Sequence, residues 1–395
     1  MEKFTENIIK YSNGKLSEKI CKWTLVGMII VMVLSCFALF FHVLGCYPAR
    51  LIISDYGDFF NVLDFVQNGD PYIDAKAGGG FANYPPLGYL ILYPFALLAR
   101  ISGPISSTTV SGIISMILFL LLTYVPAILL TYKALPFDKG GKLLGTAAIF
   151  LCYIAFFEFE RLNINILVLE FCLLFYCFYD SENKFLKGVS VFSLAAAGAI
   201  KLYPLFLALI FIKDKRYKDF ILCGIYFVLL VFLPLFFFKD GIKNFGYMIE
   251  AITSFVNDDK THFNMNDMAV HKLLRGIWAM IGLTYTNTVG LAFSVLKYGL
   301  FILSTFALIF TQNRFKFLLL ATLAYLNFTD NNYTYSLIFL LIPFLAFFND
   351  KETFSLDKDT LVTPESTFYL LSAGIMLSFF YDLILVIPLF AVFTL

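Results

Sequence analysis

Two aspartates three residues apart, Asp55 and Asp58, follow closely on an apolar run that ends near residue 44. If a helix opens there, the pair shares one face, and a carboxylate partly desolvated at a bilayer edge suits a general base. Asp64, Asp70 and Asp74 follow in the same stretch and read as solvating or capping groups. Lys201 is different, because it lies within AAAGAIKLYPLFLALIF. An unpaired ammonium at such a place costs about 3 kcal/mol on insertion scales, so Lys201 is expected to be paired or to line a cavity. Glu158, Glu160, Arg161 and Asn163 gather between two apolar segments, and His262, His271, Lys272 and Arg275 in a later polar one. The cations suit phosphate, since arginine offers a bidentate fork and lysine a point charge. Glu170 and Lys297, also inside apolar segments, read as salt-bridge or snorkelling groups. The chain has 3 histidines, too few and too scattered for a metal site.

The surroundings of these residues are unusually apolar. Of 395 residues, 60% are hydrophobic and 14% charged, against roughly 25% charged in a soluble domain. This is the composition of a polytopic, all-α integral membrane protein. A net charge of +1 excludes a nucleic-acid partner, which needs clustered positive charge. Most of the 7 cysteines fall inside apolar segments, where a thiol acts as a small hydrophobe.

Charge placement predicts the topology. Residues 1–22 carry five lysines and form a basic tail, expected in the cytosol. The apolar run 23–44 is a retained first span rather than a cleaved leader, being too long for a leader's core and lacking a small-residue cleavage pattern. Further Lys/Arg-bearing connections, at 132–142, 180–188, 213–219, 311–317 and 349–359, mark the cytosolic side. With spans at 108–131, 143–157, 163–180, 220–238, 289–310, 317–328, 334–348 and 368–393, the count is about ten or eleven. Two segments do not fit as simple crossings. Residues 84–101 are short and interrupted by Pro85, Pro86 and Pro94, and read as an interfacial or re-entrant helix on the outer face. Residues 189–212 have cytosolic markers at both ends: either they are one span and the charge rule fails locally or, the favoured form, they are two arms broken at Lys201-Leu202-Tyr203-Pro204, which requires a protein or water-filled surround. A single membrane domain over 23–395 is expected, with outer loops at about 45–105 and 239–286.

The order of these features resembles glycosyltransferase family 87. The resemblance rests on an aspartate after the first span, GDPY at 69–72, YPPL at 84–87, YPF at 93–95, RLNINIL at 161–167 and AGAIKLYPL at 197–205. NFTDNNYTYSLIFLLIPF at 327–344 is similar to the family's late outer loop and proline-containing span. The chain departs where many members show Gly-Gln-x-Asn and it has Glu160-Arg161-Leu162-Asn163.

The resemblance implies a bundle of the GT-C type with extracytoplasmic juxtamembrane helices. It implies a donor that is a polyprenyl-phosphate sugar, an acceptor that is lipid-linked or an exported glycan, and a hexose such as mannose as the group moved. Asp55 carries over as the catalytic aspartate, with Asp58 as fallback. Lys201, Arg161, Asn163, Tyr84 and the cluster His271, Lys272 and Arg275 become the substrate- and phosphate-binding set. The resemblance fixes no cofactor, and a divalent cation beside the phosphate is compatible with this chemistry. The expected site faces the extracytoplasmic side of a bacterial plasma membrane in preference to the endoplasmic reticulum. A flippase or transporter of lipid-linked sugars is the rival reading, since a broken helix with a midplane lysine also suits alternating access. A glycan ligase or polymerase is a nearer one.

Overall fold

A computed structural model describes residues 56–77, 80, 82–259, 270–328 and 334–349, with a few positions between 23 and 33. Asp55, His262, the side chains of His271 and Lys272, most of the expected span at 23–44 and all of that at 368–393 lie outside the described residues. Among those described, every regular element is helical. Among the described residues, three helices are long and apolar enough to cross a bilayer, four if one bent pair counts as a span.

The elements run in the order α1 (Gly57–Val66), α2 (Pro71–Ala77), α3 (Pro86–Ala99), α4 (Val110–Ala134), α5 (Lys139–Phe150), α6 (Tyr153–Arg161), α7 (Asn165–Phe178) and α8 (Lys184–Ile200). After these come α9 (Leu209–Lys213), α10 (Tyr217–Phe232), α11 (Asn244–Asp259), α12 (Val270–Met280), α13 (Asn287–Phe310), α14 (Arg314–Phe328) and α15 (Leu341–Asn349). Both α11 and α12 fall within 239–286, so the second expected outer loop is largely helical. The chain divides into two compact units, one built from 56–127 and 161–336 and the other containing 128–160 and 337–349.

In the larger unit, α1 packs through Phe59, whose ring meets those of Phe95 on α3 and Phe119 on α4 at 6.3 and 4.9 Å. Helix α3 opens on Pro86, where the missing N–H costs nothing, and is held to α4 by Ser111 and Ser115, which donate to the Ala99 and Phe95 carbonyls. At 14 residues it is about 21 Å long, short of the roughly 30 Å of a hydrocarbon core. Helix α2 is tied to the segment after α10 by ion pairs Asp70–Lys239 and Lys76–Glu250. The second pair is exposed at both ends, so Lys76→Ala is expected to leave the thermal unfolding midpoint in place.

Helices α7 and α8 form an antiparallel hairpin. Asn183 caps α8 by accepting from the Phe185 amide, and five consecutive small residues, 195–199, let the backbones approach closely. At Lys201 the helix stops in extended backbone (φ −140°, ψ 126°), and a 3-10 turn over Tyr203–Ala208 leads into α9. The chain then returns to the end it left: Tyr179 donates to Asp214 (2.7 Å), and Arg216 donates to the Tyr179 carbonyl (2.9 Å). Residues 184–213 are therefore two arms meeting at an elbow, not one crossing. Arg314 pairs with Asp180 at the same end, which gathers the connections at 180–188, 213–219 and 311–317. These three connections therefore lie at one end of the larger unit.

In the smaller unit α15 is buried on all sides over Leu341–Phe348. Phe348 meets Phe137 edge-on at 5.0 Å, and Asn349 donates to the Ala134 carbonyl. The expected span at 143–157 is bent: α5 and the following helix meet at 59° at a break near Leu151 and Cys152.

Candidate active site

The elbow of α8 and the start of α1 bring together residues that are more than a hundred positions apart. Asp58 lies in the first turn of α1, and the residue that launches that helix, Tyr56, adopts the left-handed conformation (φ 56°). Arg161 is the last residue of α6 and Asn163 stands just before α7; between them Leu162 is also left-handed (φ 49°). In a helix, residues two apart face away from each other. The reversal at Leu162 instead directs both side chains onto one carboxylate. Arg161 donates to Asp58 through Nε (2.9 Å) and Nη2 (2.6 Å), and Asn163 Nδ2 donates to Asp58 Oδ2 (2.7 Å). Left-handed non-glycine residues cost about 1 kcal/mol or more and cluster at functional sites. Two of the three such residues among those described flank this one contact.

Asn163 is 2% exposed, and its amide is oriented by its neighbours. Oδ1 accepts from the Asn165 amide (3.1 Å) and from Lys201 Nζ (3.2 Å), while Nδ2 also donates to the Tyr84 hydroxyl (3.3 Å). Asp58, Arg161, Asn163, Lys201 and Tyr84 thus form one connected polar group. Tyr84 itself is fixed through its backbone, its carbonyl accepting from Tyr72 and its amide donating to Tyr89. Burial lifts the Tyr72 phenol well above its ordinary value, so it stays a donor throughout the physiological range. This contact joins the GDPY and YPPL segments.

Lys201 also lies over three tyrosine rings, Tyr84 at 5.0 Å, Tyr335 at 5.9 Å and Tyr203 at 6.0 Å. Tyr335 is shared, since Arg161 lies 5.4 Å from the same ring. Lys201 and the three tyrosines border a cavity of about 780 Å³. Its remaining wall is mostly apolar and includes Leu205, Phe206, Phe220, Ile221, Phe255 and Phe301. A single ammonium and a few hydroxyls at one side of a greasy chamber suit an amphiphile with an anionic head. Among the described residues no three His, Cys, Asp or Glu side chains gather into a metal-binding group.

Of the residues singled out from sequence, Asp58, Arg161, Asn163, Lys201 and Tyr84 are brought together. Arg275 is not among those lining the cavity; its guanidinium lies over Tyr285 at 4.6 Å. Lys297 is buried against Tyr298, and Glu158 and Glu160 are buried on α6. Sequence reasoning missed Tyr203, Tyr335 and Asn165. Tyr203 was legible only as part of the Lys-Leu-Tyr-Pro break, yet its hydroxyl donates to Asn165 and its ring stacks on Tyr325 at 5.2 Å.

The family model for glycosyltransferase family 87 matches residues 81–329, more than half of the chain. The chain belongs to glycosyltransferase family 87. Its enzymatic class is therefore glycosyl transfer, and its apolar helices are those of a membrane glycosyltransferase. The family 87 match includes Tyr84, Arg161, Asn163, Lys201 and Tyr203, whereas Asp58 and Tyr335 lie outside it. No curated relative and no solved structure shows significant similarity to the chain.

Proposed function

We propose that this glycosyltransferase moves a hexose, such as mannose, from a polyprenyl-phosphate donor to a lipid-linked or exported glycan acceptor on the extracytoplasmic face. The observation that carries this reading is the polar group of Asp58, Arg161, Asn163 and Lys201 beside an apolar-walled cavity. The chamber suits an isoprenoid tail, and Lys201 suits the phosphate.

Phosphate is a good leaving group, so the demands on the protein are modest. The acceptor oxygen attacks the anomeric carbon as the bond from that carbon to the phosphate oxygen breaks. The electron pair leaves with the phosphate, whose growing charge faces Lys201, and the acceptor proton passes to a carboxylate. In-line displacement inverts the anomeric centre. Asp55 is the proposed base, because Asp58 already accepts three hydrogen bonds from Arg161 and Asn163 and is better placed to anchor them. His271 and Lys272 are proposed to approach the donor from the second outer segment, with residues 45–105 forming the catalytic loop. The N-terminus is proposed to be cytosolic.

The test is transfer by purified protein given a polyprenyl-phosphate hexose and candidate acceptors. Asp55→Asn is expected to lower kcat by at least about 100-fold with little change in donor KM. Undiminished transfer in Asp55→Asn and Asp55→Ala removes that residue as the base. Movement of intact donor across a vesicle without sugar transfer favours the flippase reading instead.

A further inference from the structure

We infer that Tyr84, Tyr203 and Tyr335 form a box that positions the Lys201 ammonium, acting through their ring faces, and that Tyr335 couples Lys201 to Arg161. This rests on the reading above, in which Lys201 meets an anionic head. Lysine is the harder cation to hold, for its four-carbon stem is flexible and its charge strongly hydrated. In water its position would be an average over many rotamers. Here three rings lie within 6.0 Å of Nζ, and each attracts the cation through its negative face.

The rings are themselves constrained. Tyr84 stacks on Tyr89 at 5.7 Å and is fixed through both its backbone groups. Tyr203 is held by the hydrogen bond to Asn165, which is fully buried, and by stacking on Tyr325. Tyr335 is 7% exposed and also receives the Arg161 guanidinium. The three come from separate parts of the chain, before α3, after α8 and after α14, so the box exists only once the tertiary structure is complete. Arg161, its charge matched by Asp58, steadies the Tyr335 ring, and Lys201 supplies the charge that faces an anion. A hydroxyl-based role would need only one of the tyrosines; the shared geometry is of faces.

The experiment measures binding of farnesyl phosphate to the full-length detergent-solubilised protein by calorimetry, with farnesol as the uncharged control. Lys201→Ala is expected to weaken farnesyl phosphate at least about 30-fold and farnesol hardly at all. Tyr335→Leu is expected to weaken farnesyl phosphate about tenfold, while Tyr335→Phe, which keeps the ring, stays within twofold. In a Lys201→Ala background the Tyr335→Leu penalty should vanish, because the ring acts through the ammonium. An equal penalty in both backgrounds, or a Phe variant as poor as Leu, overturns the box. If Lys201→Ala leaves affinity unchanged, the phosphate reading itself fails, which is a separate outcome. Should Tyr335→Leu unfold, Tyr203→Leu and Tyr203→Phe supply the same comparison at a second ring.

Discussion

Arg161→Ala is expected to abolish measurable transfer and to lower stability by about 3 kcal/mol, whereas Arg161→Ala combined with Asp58→Asn recovers much of the stability and none of the activity. The pair is mostly buried, with side-chain exposures of 28% for Arg161 and 16% for Asp58. Removing one partner leaves a carboxylate with a single remaining donor, Asn163, in a poorly hydrated place. Neutralising Asp58 lifts that penalty, so the two substitutions are strongly non-additive in stability. Activity does not return, because Arg161 is also drawn to Tyr335 beside the cavity. Thermal unfolding and transfer assays on the four proteins of this cycle check both halves. Additive stabilities would mean that Asp58 and Arg161 are not partners in the folded protein.

Lys201→Met is the second large effect, and here stability and activity are expected to move in opposite directions. Methionine keeps the length of the side chain and removes a charge whose transfer from water is costly. The folded protein should therefore be as stable as the parent or slightly more so. Transfer should fall by about 10²–10³ in kcat/KM, the usual loss when one charge-stabilising donor is removed from a reacting centre. Lys201→Arg should recover little, since a longer, planar guanidinium cannot keep the bond that Nζ makes to Asn163 at 3.2 Å. Retention of full activity in Lys201→Met would remove the lysine from the chemistry.

How far the site could be read in advance differs from residue to residue. Lys201 was legible because its surroundings were entirely apolar, and the break beside it because Pro204 cannot continue a helix. Arg161 and Asn163 were legible as polar groups between apolar segments. What sequence did not contain was their direction. Nothing local reveals that Leu162 adopts a left-handed conformation, a state that only the surrounding contacts can impose on a leucine. Without that reversal Asp58 looks like a free carboxylate; with it, Asp58 accepts three hydrogen bonds from Arg161 and Asn163.

Tyr203 and Tyr335 escaped notice for the opposite reason. In a chain with 23 tyrosines and 48 phenylalanines, an aromatic residue is ordinary until its ring is seen to face a cation. The bend between α5 and α6 was equally silent, for Leu151-Cys152 contains neither proline nor glycine. Arg275 was drawn into the phosphate set by its charge, and in the structure its guanidinium lies over the Tyr285 ring.

The elbow at Lys201 has a consequence for biogenesis. The first arm leaves the Tyr179 end of the larger unit and the second returns to it, so residues 184–213 do not read as a single stop-transfer segment. The arms have to enter together, as a wedge whose tip carries a charge. That tip finds Asn163 only if α7 is already seated, and Tyr335 only after the ribosome has made more than a hundred further residues. Lys201 must therefore wait for its late partner, and a chain truncated before Tyr335 would lack one of the three rings over its ammonium.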